Sequence, residues 1–332
     1  MAERADADDN DNDTSNNDDV WVLGNLTIDD LVFADGRTVM GACGGNAIFA
    51  ALGAQLWSSR VGLAARIGPD YPGPYLASLA AAGVQLALSA VAAPSMHNWA
   101  LYESPDVRRF ITWLGSGSHL EQSLVPAEVP PVASTARVCH IAPMPLVVQR
   151  QLVEHLAGRT LVSLDPHDEY IRGAETSLLD LLHRVDLFLP SRREAALLFG
   201  HDAPEAAARA FVAHGATVVA IKLGAEGSLV FGAELEQPLH VPALPVAAVD
   251  PTGAGDAYCG AFAAVYGRSG QLLEAALHAT VAASFIVERY GALDVLPLDP
   301  LAAAQRLRRL EKTLVDHHLQ PPKWRHIAHA HG

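Results

Sequence analysis

Short apolar runs alternate with longer amphipathic or alanine-rich stretches from about residue 20 to residue 300. The short runs read as strands: Val20–Gly24, Arg60–Leu63, Arg137–Ala142, Thr160–Leu164, Asp186–Leu189, Thr217–Leu223 and Ser228–Phe231. Several are continuously β-branched or apolar, the pattern of strands buried on both faces. The longer stretches read as helices: Asn46–Leu56, Pro74–Ala82, Leu146–Leu156, Ser191–Phe199, Ala203–His214, Ala254–Tyr266 and Leu272–Glu288. This alternation predicts an α/β fold, a doubly wound, mainly parallel sheet flanked by helices. Residues 25–40 and 96–114 depart from it, with strand-like residues and no intervening helix. The second segment reads as a hairpin, Met96–Tyr102 and Val107–Leu114, turning at Glu103-Ser104-Pro105-Asp106. Together the two predict a small β lid over one edge of the main sheet.

Composition then narrows the function. The chain has 332 residues, 50% of them apolar and 18% charged, which excludes wholesale disorder. It contains no apolar run long enough for a transmembrane helix, and its polar, acidic start has no signal-type apolar stretch. A cytoplasmic location is therefore expected. The net charge of −14 is divided evenly. Residues 1–19 carry −7 from seven Asp, Glu3 and Arg4, and are expected to form a disordered acidic tail. The remainder has no basic run, so nucleic acid is not an expected partner. Cys43, Cys139 and Cys259 are odd in number and far apart, which suits a reducing compartment and no disulfide framework. Residues 20–318 then read as one domain and 319–332 as a frayed C-terminal tail. His326, His329 and His331 in that tail offer a metal-binding alternative.

The strongest chemical signal is Asp250-Pro251-Thr252-Gly253-Ala254-Gly255-Asp256. A strand-like approach over Leu244–Val249 meets a glycine-rich turn, and an alanine-rich helix begins at once. The first amides of that helix lack intrahelical acceptors, and with the helix dipole they form an anion site. Asp256 falls in the first turn, where a carboxylate can take the proton of a hydroxyl attacking a bound phosphoryl group. The helix terminus should hold its pKa at or below ~3.9, a weak base suited to a loose transition state. The alternative is plain capping and turn formation. The segment is neither a Walker A loop nor a GxGxxG fingerprint. A second, weaker signal is Gly44-Gly45-Asn46, which opens the predicted helix reaching past Gly53.

On these motifs the chain resembles the ribokinase-like (PfkB) carbohydrate and nucleoside kinases over most of residues 20–300. Asp250–Asp256 is similar to the family's C-terminal signature. Gly44-Gly45 with the helix to Gly53, then Val61-Gly62 and Ile67-Gly68-Pro69-Asp70, is similar to its N-terminal signature. Gly24–Asp29 resembles the opening strand, Ser191-x-x-Glu194 the usual Asn-x-x-Glu, and Ile221–Gly227 the strand and turn beside the nucleotide.

The resemblance implies an ATP-dependent, Mg2+-requiring phosphotransferase acting on a hydroxymethyl group of a sugar or related polyol. Asp256 would be the base, and the Gly253, Ala254 and Gly255 amides the anion hole. Asp29, Gly44, Gly45 and Asn46 would face the acceptor. Ser191, Lys222, Gly224 and Gly227 would border the nucleotide, and Glu194 would hold Mg2+ through water. Asp250 and Thr252 match a monovalent-cation site, so K+ activation is one expectation. A homodimer paired through the lids is another.

Three positions depart from the family pattern. Phe49 stands where an Asn is usual, Ser191 replaces an Asn, and Lys222 replaces a hydroxyl residue and could compensate for Ser191. Arg109, or else Arg108, is a candidate acceptor contact, since alternation turns only one of them inward. Phe49, Trp99 and Trp113 could wall a nucleobase, which keeps a nucleoside kinase open as an alternative. The loop Leu164–Glu169 is expected to cap a strand end and line the cleft rather than bind a metal. A third reading, from another class, is a sensor that binds sugar or nucleotide without catalysis. Cys43 and Cys259 read as small packing residues.

Overall fold

The computed structural model describes residues 20–104, 107–200, 202–233 and 235–316. Both predicted tails, 1–19 and 319–332, lie outside the described residues, as do Pro105 and Asp106 of the predicted turn.

Thirteen strands are described: β1 Val20–Leu23, β2 Thr27–Val32, β3 Thr38–Gly44, β4 Val61–Ile67, β5 Val84–Ala90, β6 Met96–Ser104, β7 Val107–Thr112, β8 Val138–Ile141, β9 Leu161–Leu164, β10 Leu187–Phe188, β11 Val218–Lys222, β12 Ser228–Gly232 and β13 Leu239–Val241. Nine form one sheet in the order β13-β12-β11-β10-β9-β8-β1-β4-β5. Its strands are parallel from β5 through β11, and β12 and β13 close the edge antiparallel. The other four form a small sheet in the order β3-β2-β6-β7. The expected doubly wound α/β fold with its accessory sheet is thus observed.

Burial explains the apolar runs. In β1, Val20 and Val22 enter the core on one side of the large sheet, Trp21 and Leu23 the core on the other. In β11, Val218 and Ala220 divide from Val219 and Ile221 in the same way. A strand covered by helices on both faces has no polar face to show.

Two boundaries differ from the sequence expectation. Leu244–Val249, read as a strand, is irregular. Pro242 and Pro245 cannot donate ladder hydrogen bonds, and the antiparallel edge strand β13 ends just before them at Val241. The lid segment expected at 25–40 extends to Gly44, because β3 pairs antiparallel with β2 all the way to the Gly44–Thr27 pair.

The helices Asn46–Gln55 and Ala254–Ser269 cross at very close range. A Cβ added at Gly260 would lie 1.9 Å from the Ala50 carbonyl oxygen, and one at Gly53 would lie 2.1 Å from that of Ala257. Gly53 therefore sits in mid-helix as a contact point. This crossing joins the two glycine-bearing signatures into one floor.

Candidate functional site

The candidate residues converge where the parallel strands end, the usual place for ligands in open α/β sheets. Asn25 follows β1, Asp165 follows β9, Ser191 follows β10, and Lys222 ends β11. Ser191 and Lys222 face each other in a parallel bridge, and the Lys222 amide donates to the Pro190 carbonyl at 2.8 Å.

The glycine-rich turn enters the helix Ala254–Ser269 with Gly253 at its N-cap, φ 79° and ψ −6°. That left-handed backbone favours glycine, and a Cβ there would also strike the Phe49 ring at 2.2 Å. Phe49 is buried and packs beneath the turn, so it is removed from the expected acceptor wall. The Ala254 amide donates to the Pro251 carbonyl at 3.2 Å, which turns it inward. Asp256 lies in the helix's first turn and is partly buried.

Lys222 does not project freely into the cleft. Its Nζ lies 2.6 Å from Asp165 Oδ1 and 3.2 Å from Cys259 Sγ, and the thiol donates to Asp165 Oδ2 at 3.3 Å. Burial pushes the Asp165 carboxyl up to about 6, against the pull of Lys222. Burial opposes the Lys222 charge, but the Asp165 and Glu194 carboxylates outweigh it and raise its pKa above the usual range. At neutral pH both partners are charged. The stem of Lys222 runs 3.6 Å from the Cβ position of Gly255, directly beneath the turn. Burial raises the Cys259 thiol, which therefore stays protonated as the packing reading expects.

Ser191-x-x-Glu194 forms a capping box. Ser191 Oγ accepts from the Glu194 amide at 3.3 Å, and Glu194 Oε2 accepts from the Ser191 amide at 2.5 Å. The Ser-x-x-Glu spacing carries that structural signal in the sequence itself. Glu194 is buried and electrostatically coupled to both Asp165 and Lys222. Gly224 and Gly227, at φ 63° and 99°, shape the tight turn from β11 into β12. Arg192 clamps that turn through Glu226 at 2.6 and 2.9 Å.

Facing these groups, the small sheet presents Asp29. Its carboxylate accepts from Thr27 Oγ1 at 3.0 Å and from Asn98 Nδ2 at 3.3 Å. Burial pushes its pKa up to about 6, against those hydrogen bonds and the nearby His97. Gly44 leaves the space that Asp29 occupies: a Cβ there would lie 1.9 Å from Asp29 Oδ2. Gly45 packs as tightly against the Asn25–Thr27 backbone, where an added Cβ would lie 2.5 Å from the Asn25 carbonyl oxygen. The amide of Asn46 is engaged internally at both ends. Its Oδ1 accepts from the Asn25 amide at 2.9 Å, and its Nδ2 donates to the Pro143 carbonyl at 2.6 Å. Asn46 therefore ties the loop after β1 to the Pro143 segment through one bond at each end of its amide.

Strand register sorts the remaining candidates. Asp29 pairs with Asn98, Asn98 with Thr112, and Ala100 with Phe110, so these side chains share one face. Tyr102 lies on the same face, and its Oη reaches Asp250 Oδ1 at 2.8 Å. Arg109, Trp99 and Ile111 lie on the opposite face. Arg109 is 75% exposed and pairs with Glu103 at 3.3 Å, so it is not an acceptor contact. The side chain of Arg108 lies outside the described residues. Trp99 and Trp113 stack together at 5.5 Å, and Trp113 stacks on His97 at 3.7 Å. Besides the buried Tyr102, Asp29's face carries the half-exposed Phe110, which sequence reasoning missed. Counting alternate residues back from Thr112 would have found it.

Among the described residues no group of three or more His, Cys, Asp or Glu side chains could hold a metal ion. The Leu164–Glu169 loop leads from β9 into the short helix Asp168–Ile171. Asp165 pairs with Lys222, and His167 caps that helix.

The match to known proteins follows this geometry. The family model for pfkB family carbohydrate kinases matches residues 22–299. The chain belongs to the pfkB family. As a pfkB family protein it is a phosphotransferase acting on a sugar or nucleoside. It is 31% identical over 280 residues to a cytidine kinase of Thermococcus kodakarensis, covering 82% of this chain and 97% of that one. It is 31% identical over 186 residues to a deoxyribokinase of Salmonella typhi, covering 52% and 58%. An E. coli protein described as a ribokinase II, solved with ATP and Mg2+, superposes with a TM-score of 0.73 at 23% identity, covering 88% and 99%. The adenosine kinase of Sinorhizobium meliloti superposes with a TM-score of 0.70 at 21% identity, covering 87% and 98%. At these identities the solved structures speak for the fold. No helix among the described residues is long and apolar enough to cross a membrane.

Proposed function

We propose that this pfkB family kinase transfers the γ-phosphoryl group of ATP to the hydroxymethyl group of a nucleoside. The observation that carries this reading is Phe110 on the same sheet face as Asp29. Asp29 accepts hydrogen bonds from ribose hydroxyls, and Phe110 offers its ring to a planar base. The similarity to a cytidine kinase over nearly that protein's whole length supports the same choice. A free sugar is the second reading, favoured by the similarity to a deoxyribokinase.

In the transfer, the acceptor oxygen forms a bond to the γ-phosphorus while the bond from that phosphorus to the β-γ bridging oxygen breaks. The acceptor's proton passes to the Asp256 carboxylate, and ADP leaves. The Gly253 and Gly255 amides belong to the set that no helical carbonyl serves, and they receive the phosphoryl oxygens. Lys222, held beneath them by Asp165, adds fixed positive charge. The donor set suits Mg2+, which is commonly held by one or two carboxylates with substrate phosphates and water. Glu194 supplies the carboxylate, because its capping role engages Oε2 alone among its oxygens. Bound Mg2+ would offset charge on the phosphates, and the chain's own groups do the positioning. Lid-to-lid dimerisation fits the exposed apolar residues Ile111 and Trp113 on and beside the outer strand of the small sheet.

The test is ADP release with Mg2+-ATP across cytidine, adenosine, inosine, ribose, deoxyribose, fructose and myo-inositol. Nucleoside turnover is expected, with an acceptor KM raised about tenfold in Phe110→Ala and unchanged in Trp99→Ala. Asp256→Asn should lose ~10²–10⁴-fold in kcat and still bind nucleoside, which a sensor would not show. Turnover with free sugars alone would overturn the nucleoside reading.

A further inference from the structure

The turn that carries the phosphoryl-binding amides is tied to the small sheet by one hydroxyl. Tyr102 Oη lies 2.8 Å from Asp250 Oδ1 and 2.9 Å from Thr252 Oγ1. The Thr252 amide donates to the same Asp250 Oδ1 at 2.9 Å. A phenol has one proton. It is donated to the carboxylate, so the Thr252 hydroxyl donates in turn to the phenol oxygen. Asp250 is 1% exposed and Tyr102 7% exposed, so water has little part in this arrangement.

Asp250 and Thr252 are the two side chains that match the family's monovalent-cation position. A cation there needs oxygen lone pairs directed at it. In this chain Asp250 Oδ1 already accepts two hydrogen bonds, from the phenol and from the Thr252 amide, and the Thr252 hydroxyl is engaged with the phenol. A buried carboxylate must be compensated, and here O–H and N–H donors do so, aided by the positive end of the following helix. The side chains present do not fit a cation between them.

We propose that Tyr102 takes the place of a monovalent cation at the Asp250–Thr252 turn, making turnover independent of K+. Tyr102 is then a positioning residue. It touches neither substrate, but it holds Asp250 and Thr252, and through them the backbone of Gly253 to Gly255. It also joins the Asp29 face of the small sheet to the phosphoryl-binding turn. The sheet that carries the acceptor contact and the turn that receives the phosphoryl group are thereby fixed relative to one another. The inference rests on the kinase reading for its catalytic arm, and its binding arm stands without it.

The experiment compares the full chain in KCl and in choline chloride at matched ionic strength, by steady-state turnover and by thermal unfolding midpoint. The wild type should show equal turnover and equal midpoints in the two salts. Tyr102→Phe should lose about 10- to 100-fold in kcat in choline with little change in either KM. K+ should restore part of that loss and raise the variant's midpoint, because the vacated oxygens can now turn to a cation. A wild type that needs K+ for turnover, or that K+ alone stabilises, would overturn the proposal. So would a Tyr102→Phe variant that is fully active in choline, or one equally slow in both salts. If that variant fails to fold, the wild-type comparison decides. If no acceptor is turned over at all, the kinase arm has failed and the midpoints still report on cation binding.

Discussion

Lys222 Nζ sits 2.6 Å from Asp165 Oδ1 directly beneath the glycine-rich turn, with 14% and 4% of the two side chains exposed. Breaking such a pair from one side leaves an uncompensated buried charge. Lys222→Met should therefore cost about 3–5 kcal/mol of stability, read from urea midpoints. The double variant Lys222→Met, Asp165→Leu should recover most of that stability without recovering the apparent affinity for ATP. Recovery of both would mean that the lysine serves packing alone.

Asp29 supplies a pH test whose sign follows from its burial. Its folded pKa is pushed up to about 6, above the ordinary 3.8. Between those values the folded state holds a proton that the unfolded chain has lost. The folded state is thus favoured at low pH and loses that advantage as pH rises through 6. Asp29→Asn removes the penalty. The variant should be more stable than the wild type by up to roughly 3 kcal/mol at pH 7, and no more stable near pH 4. Comparing the two proteins cancels Asp165, whose carboxyl is shifted in the same direction. A constant difference across this range would mean that Asp29 titrates normally.

Ser191 and Glu194 separate capping from metal binding. Ser191→Ala should cost about 1 kcal/mol of stability through the lost cap. Glu194→Gln preserves the capping box, since glutamine serves at that position, but removes the charge. It should unfold like the wild type, while needing ~10-fold or more additional Mg2+ for half-maximal rate. An unchanged Mg2+ requirement would assign Glu194 to the helix alone.

The crossing of the two signature helices predicts a steep size limit. Gly260→Ala forces a Cβ to within 1.9 Å of the Ala50 carbonyl oxygen and should cost about 3 kcal/mol or more. Gly270 is the control. It ends the same helix at φ 65° with nothing within 4 Å of an added Cβ. Gly270→Ala should cost only about 1 kcal/mol, from the backbone preference alone. Thermal midpoints of the two variants measure the contrast.

The fold was legible because both of its layers leave local marks. Double-sided burial makes β1 continuously apolar and β8, β9 and β11 nearly so, interrupted by His140, Ser163 and Lys222, and each run was predicted within two residues of its observed ends. The edges were less legible. β5 was missed because it is largely half-exposed and alanine-rich, and Leu244–Val249 was misread because apolar residues between prolines imitate a strand. The helix Pro300–Asp316 was missed as well, its single apolar stripe set among charged residues.

The sequence by itself determined the chemistry that depends on contiguous backbone. A glycine-rich turn entering a helix makes an anion site wherever it folds, and Asp256 follows it in the same turn. What lies across the cleft depends on contacts between residues far apart in the chain. Only the tertiary structure decided that Asn46 is engaged by Asn25 and Pro143, that Phe49 packs under Gly253, and that Lys222 is held by Asp165. Only strand pairing turned Phe110 toward Asp29 and Arg109 away, because a shift of one residue in register exchanges the two faces. The bond from Tyr102 to Asp250 spans 148 positions, and no local pattern encodes a contact of that reach.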